Sequence, residues 1–403
     1  PCSRKYVVRC AGEESMKSES LVIPPALSRI SRKLATTAFA TAAILTLTAI
    51  IAPDRAWANL LLGALFLVTL GLGGALFIAL TNVCGAGWSV AFRRVPEAMT
   101  GLLPLGGALL LVAVLAHLRQ YAWHHHGDGD AGTFWFKELW LEPKFFAARA
   151  VSFVMLWIVF SRVLVNQSRR QDTIMNARSS VVPSILFLAM FAITISLAGV
   201  DWIMALEPMW FSTMWGVYQF SGLILSTLAA MIIACILLRR SGPLAGVFRD
   251  DHLHDLSKLL LGFSCFWMYI WFSQYMLIWY ANIPEETSYF IMRTHGSWGP
   301  IVLVSIALNW IIPFFVLLPR PCKRNESIML KVAVVVLLGR WVDLYVMLFP
   351  PTTGDAPVFG VPEVATIIGL CCLIPLLFMR SFAAAAPVPR NDPWLAESLH
   401  YHA

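Results

Sequence analysis

The chain has 403 residues, of which 58% are hydrophobic and only 13% charged, and its mean hydropathy is +0.71. A soluble globular domain runs at about half apolar and a quarter charged, so these proportions exclude an ordinary soluble domain, a disordered chain and a collagen. The formal net charge of +7 comes from 30 Lys and Arg against 23 Asp and Glu. Because the basic residues cluster between apolar runs, they point to membrane topology and contact with anionic lipids, not to nucleic acid.

The first residues, Pro1 to Ser20, are polar and mixed in charge and do not form a signal peptide; the first long apolar run begins near Leu34 and reads as a retained span. About 20 apolar residues cross a bilayer as a helix. In chain order, the spans expected are 34–51, 60–80, 101–121, 143–165, 181–201, 210–238, 257–280, 299–319, 328–349 and 360–380. Open strand edges find no hydrogen-bond partners in lipid, so the fold class expected is all-α with ten transmembrane helices. Twenty-three Lys and Arg fall on one side of these spans and five on the other, with Arg149 and Arg340 inside spans. By the positive-inside rule, both termini are expected in the cytoplasm. Asp201 in Ala198-Gly-Val-Asp-Trp and Asp343 in Gly339-Arg-Trp-Val-Asp stand four spans apart in helices of the same direction. That weak symmetry suggests two four-helix bundles, spans 2–5 (60–201) and 6–9 (210–349), flanked by spans 1 and 10. The domain organisation expected is an N-terminal tail (1–33), a transmembrane domain (34–380) and a C-terminal cytoplasmic tail (381–403).

Several chemistries are absent. The eight cysteines (Cys2, Cys10, Cys84, Cys235, Cys265, Cys322, Cys371 and Cys372) form no CxxC and no cluster for iron–sulfur or zinc. Of nine histidines only His117 falls within an expected span, which argues against a bis-histidine haem in the bundle. There is no GxxxxGK[ST] or HExxH motif. The His124–His126 run in the largest outer loop, about 122–142, reads as polar loop. No catalytic residue, metal or redox centre is therefore expected in this chain.

What remains is a set of ionisable groups in or beside the spans, each costly in lipid and so a functional candidate. Arg340 and Asp343, three residues apart, are spaced to pair. Glu207, Asp201 and Asp343, with His295 nearby, are candidates for an outer proton exit, and Arg149 is placed to anchor a carboxylate. At the cytoplasmic end, His252, His254, Asp255 and Lys258 are candidates for proton entry. Between the two ends, Tyr269, Ser273 and Gln274 on span 7, Tyr218 on span 6 and Asn309 on span 8 offer a hydrogen-bonded file. A structural seam of paired polar groups between helices would look the same in sequence. His117, Arg149 and Asp201 are also the candidates for holding a quinone headgroup.

Four stretches carry a resemblance: Ala198–Pro208 (AGVDWIMALEP), His252–Lys258 (HLHDLSK), Phe272–Tyr289 (FSQYMLIWYANIPEETSY) and Arg340–Tyr345 (RWVDLY). With the ten-span pattern over roughly residues 30–380, the chain resembles the polysulfide-reductase-type membrane subunits, and among them the second such subunit of bacterial alternative complex III, a quinol:electron acceptor oxidoreductase. The resemblance implies a subunit without its own redox centre that conducts protons coupled to electron transfer from menaquinol to a periplasmic acceptor. It implies as partners a homologous ten-helix quinol-binding membrane subunit, a multihaem cytochrome c, a periplasmic iron–sulfur subunit and small membrane anchors. Menaquinone, haem c and iron–sulfur clusters are then expected in the complex, and the location implied is the bacterial inner membrane. Direct quinone binding, purely structural anchoring and a stand-alone transporter are the alternatives.

Overall fold

Long apolar runs punctuated by Pro and Gly fold here as long helices, because each helix satisfies its own backbone groups without help from solvent. The computed structural model describes residues 25–116, 139–172, 180–207, 210–354, 356–389 and 391–402, and the regular structure among them is entirely helical. The helices are α1 (Pro25–Ile51), α2 (Pro53–Val83), α3 (Arg94–Met99), α4 (Leu103–Ala116), α5 (Pro143–Gln171), α6 (Val181–Trp202), α7 (Trp215–Ser241) and α8 (Asp250–Ala281). They continue with α9 (Pro284–Thr294), α10 (Gly299–Ile306), α11 (Ile312–Leu317), α12 (Arg320–Arg324), α13 (Glu326–Leu348), α14 (Val361–Phe382) and α15 (Leu395–Leu399). Among the described residues, nine helical segments are long and apolar enough to cross a membrane. The chain is an all-α, multi-pass membrane protein.

Helix ends are written into the sequence. Pro53, Pro143 and Pro284 begin α2, α5 and α9, where a missing N–H costs nothing. Asn325 caps α13 by accepting from Ser327 N and Ile328 N, and the Glu142 carboxylate caps α5 by accepting from Phe145 N. At the other end of α8, Asn282 takes the left-handed conformation (φ 48°) that releases the chain. Observed ends differ from the expected ones by several residues: α1 begins nine residues earlier and α2 seven, and α8 begins seven residues earlier at Asp250 because the run Asp250–Asp255, polar except for Leu253, continues the helix. The third expected span, 101–121, begins in a short 3₁₀ turn that joins it to α3, and its end beyond residue 116 lies outside the described residues. The eighth is divided at residues 307–311, a π-helical turn. The ninth expected span is α13, 23 residues long, which carries Lys331, Arg340 and Asp343.

α2 is the axis of the bundle. Its apolar window is wholly buried, and it packs against α1, α4, α6, α7, α13 and α14. A helix that is apolar on every side belongs in this position. The close approach of α7 is possible because α2 has Gly73 where the two helices meet: a Cβ there would fall 1.8 Å from Thr227 Oγ1. α1 and α14 pack on each other and on one flank of α2, so the first and last spans form a pair and do not flank the bundle separately. Helix direction alternates along the chain. The starts of α6, α8 and α13 meet the ends of α5, α7 and α14 on one face, through contacts such as Arg239–Asp250 and Arg240–Glu326. This is the side with most of the Lys and Arg, here called the basic face. The segment beyond α14, expected as a tail, folds back over this face: Asp392 pairs with Arg93, and α15 packs on residues 87–92.

Candidate functional site

Nearest the centre, α13 brings Arg340 and Asp343 to one side one turn apart, and they pair (Nη1–Oδ2 2.6 Å). α7 supplies the rest of the cluster. Tyr218 donates to Asp343 Oδ1 at 2.5 Å, and Gln219 Oε1 accepts from Arg340 Nη2 at 3.3 Å. Gln219 Nε2 in turn reaches Met347 Sδ at 3.3 Å. Arg340 and Asp343 are only 2% and 3% exposed, so this is a buried ion pair, in which loss of one partner strands the other. Gly222 on α7 leaves room for the guanidinium. Arg340 Nε has no hydrogen-bond partner among the described residues; Arg340 also lines a small cavity with Thr69, Gly199 and Gln219 at the junction of α2, α6, α7 and α13.

A second small cavity opens beside Asp343 and is lined by Tyr218, Tyr289, Arg293, Ser305 and Asp343. It leads towards the face opposite the basic one, where Arg293 of α9 bonds Glu207 (Nη2–Oε1 2.5 Å) and the carbonyls of Val346 and Met347 (3.0 and 3.1 Å). The guanidinium also lies over the Tyr289 ring, 3.6 Å from its centroid. Burial pushes the Tyr289 phenol above its ordinary range, so it stays neutral. Glu207 is thus linked to Asp343 through a cavity and Arg293; of the outer group expected from sequence, Asp201 instead pairs with Arg149. His295 is exposed and bonds its own helix instead.

On the other side of the same cavity, Ser305 accepts from Asn309 Nδ2 through its carbonyl at 3.0 Å. Asn309 lies in the π-helical turn. Pro313, four residues on, has no N–H to give the Asn309 carbonyl, and Ser264 of α8 donates to it at 2.6 Å. The polar run Asp343–cavity–Ser305–Asn309–Ser264 therefore reaches about the middle of α8. Seven residues nearer the basic face, Ser257 bonds the His254 carbonyl (2.6 Å). The rise between Ser264 and Ser257 is about 10 Å, and buried Leu256 and Leu260 lie along this part of α8.

At the basic face, His252 is fully buried. Its Nδ1 accepts from Arg249 N at 3.0 Å, so Nε2 carries the proton and donates to Ser398 O at 3.0 Å. Asp255 is gripped twice, by Tyr401 and by Lys258. The hydrogen bond donated to Asp255 is the main reason that the Tyr401 phenol is pushed up to about 12. His254 is buried on the same helix, and its Nδ1 has no hydrogen-bond partner among the described residues.

The remaining expected residues separate. Arg149 and Asp201 meet (Nε–Oδ2 2.6 Å), with Trp140 donating to the other carboxylate oxygen at 2.8 Å and its ring 4.0 Å from the guanidinium carbon. Gln274 is buried and bonds Ser212 Oγ at 2.8 Å. Tyr269 faces outward, 64% exposed, and Ser273 is half-buried on the flank of α8; neither joins a polar cluster among the described residues. Their helical positions put them off the inward stripe formed by Ser264, Trp267 and Gln274. His117 and the His124–His126 run lie outside the described residues. Two buried networks were not among the expected residues. Glu363 of α14 takes both Nε and Nη2 of Arg55 (2.8 and 2.5 Å) and Asn59 Nδ2 (2.9 Å). Glu97 takes Arg94 (2.6 Å) and the Ser168 hydroxyl. Both acids were visible as carboxylates within or next to apolar runs, the signal that singled out Asp343. The chain matches no known family model and no curated protein.

Proposed function

We propose that this chain is a proton-conducting membrane subunit of a quinol-oxidising complex of the alternative complex III type, with α13 as its ninth of ten crossings and the basic face towards the bacterial cytoplasm. The complex would supply menaquinol, haem c and the iron–sulfur clusters through its partner subunits. The observation that carries this reading is the buried Arg340–Asp343–Tyr218 cluster, which shares a cavity with Arg293 and, through it, Glu207 on the opposite face. A carboxylate with a cation on one oxygen and a phenol on the other is built to hold a charge that a passing proton can neutralise. Ser305, Asn309 and Ser264 extend that half-path inward; His252, His254 and Asp255 form the inner entry. Transfer then requires bridging the stretch of about 10 Å beside Leu256 and Leu260.

That stretch also supports a second reading, in which the clusters only join helices and the subunit anchors its partners. Direct quinone binding at Arg149 and Asp201 draws less support, because these side chains already bond each other and Trp140. Proton translocation by the intact complex separates the first two readings. With Asp343→Asn, proton movement per electron should fall while the assembled complex is recovered in full. Unchanged stoichiometry in an assembled complex would leave anchoring as the function.

A further inference from the structure

The segment after α14 is held over the basic face by contacts that converge on one place. Asp392 pairs with Arg93. Ser398 Oγ donates to Trp88 O at 2.6 Å and accepts from Ala91 N at 3.0 Å, while its carbonyl accepts from His252 Nε2. Arg249 Nη1 donates to Leu399 O at 3.1 Å. Three residues past Ser398, the Tyr401 ring stacks on the His252 imidazole (centroids 5.9 Å, planes 26° apart) and its hydroxyl donates to Asp255 Oδ2. Lys258 holds Oδ1. Asp255 is left 7% exposed although it stands in the second turn of a helix that starts at a membrane face.

We propose that residues 392–402 are a latch across the basic-face approach to Asp255 and His252, with Ser398 as its fastening and the Tyr401 hydroxyl as the group that must swing away before water meets the carboxylate. The geometry fits release and not permanent sealing. The fastening rests on a few hydrogen bonds from a five-residue helix, and Tyr401 leaves Asp255 by rotation of one side chain. The latch concerns access to Asp255; that such access admits protons rests on the reading proposed above.

The test is carboxyl modification of the full chain in detergent or nanodiscs, using a water-soluble carbodiimide with an amine nucleophile and reading each site by mass spectrometry. Asp250, 54% exposed at its side chain, is the internal reference, and Asp343, 3% exposed, reports integrity because it should label only once the chain unfolds. In the wild-type chain Asp255 should label far more slowly than Asp250. Tyr401→Phe keeps the ring and removes the bond, and should raise the Asp255 rate about tenfold, the factor expected for a lost hydrogen bond to a charged group. Ser398→Val should raise it as well by undocking the segment. Equal rates at Asp255 and Asp250 in the wild-type chain, or an Asp255 rate unmoved by Tyr401→Phe, would overturn the latch. If labelling behaves as expected but Asp255→Asn leaves proton translocation intact, the latch stands and the proton reading fails. The opposite pair of results removes the latch alone.

Discussion

A methyl group at Gly222 tests whether the Arg340–Asp343 pair has the energetic weight that its burial implies. A Cβ at this position would fall 2.3 Å from Arg340 Nη1 and 2.7 Å from its Cζ. Ordinary contact needs at least 3.4 Å, so the nitrogen must retreat by about 1.1 Å, a displacement too large for the 2.6 Å bond to Asp343 to survive as a hydrogen bond. Stretching the charges from 2.6 Å to about 3.7 Å at an effective dielectric constant of about 20 removes about 2 kcal/mol of attraction. Alanine in place of glycine within a helix returns about 1 kcal/mol, so Gly222→Ala should destabilise by a net of about 1 kcal/mol. The assay is reversible unfolding in mixed detergent micelles. Gly262→Ala on α8, where no atom lies within 4 Å, is the control and should be neutral or stabilising. In an Asp343→Asn background the guanidinium has no ion pair to lose, and the cost of Gly222→Ala should vanish. Equal costs in the two backgrounds would mean that the methyl group acts elsewhere, and the reasoning would be refuted.

Two further outcomes follow from single contacts. Ser264→Ala should lower stability by about 1–2 kcal/mol, because the Asn309 carbonyl loses its donor and Pro313 cannot replace it; adding Pro313→Ala should recover part of that loss in the same unfolding assay, and a neutral Ser264→Ala would contradict it. The Tyr401 phenol is raised above its unfolded value of 10.0 to about 12, so docking of its segment gains from the neutral phenol below pH 10 and loses that gain as pH rises through 12. Ultraviolet titration of wild-type minus Tyr401→Phe protein should show one phenolate step near pH 12, and a step near pH 10 would show Tyr401 to be unbonded.

The spans were legible because their signal is additive: twenty apolar residues in a row leave no soluble alternative. Their ends were less so, since the run Asp250–Asp255, polar except for Leu253, still extends a helix into the interface. The pairing of Arg340 with Asp343 followed from a local spacing of three, and the helix itself brings them together. Tyr218 joined them only through packing between α7 and α13, which periodicity narrows to a face and not to a partner. Tyr269 shows the same limit from the other side: it belongs to the polar set of span 7 by composition, yet its register turns it outward. Glu363 carried the same warning as Asp343 and needed only the same rule. The return of residues 392–402 onto α8 had no local signature, because its contacts join Ser398 to Trp88, Ala91 and His252, positions far apart in the chain.

The place of α2 has a consequence for biogenesis. Helices emerge in chain order, so α2 reaches the bilayer well before α7 and α13, the neighbours that will enclose it. It can wait there at little penalty, for between Ala56 and Val83 it has no ionisable side chain and its two amides, Asn59 and Asn82, lie near its ends. α13 is in the reverse position: with Arg340 and Asp343 it is a poor guest for lipid alone, but by the time it is made Tyr218, Gln219 and the gap at Gly222 already stand ready to receive it. The helix that tolerates solitude is synthesised early, and the one that needs a host is synthesised late.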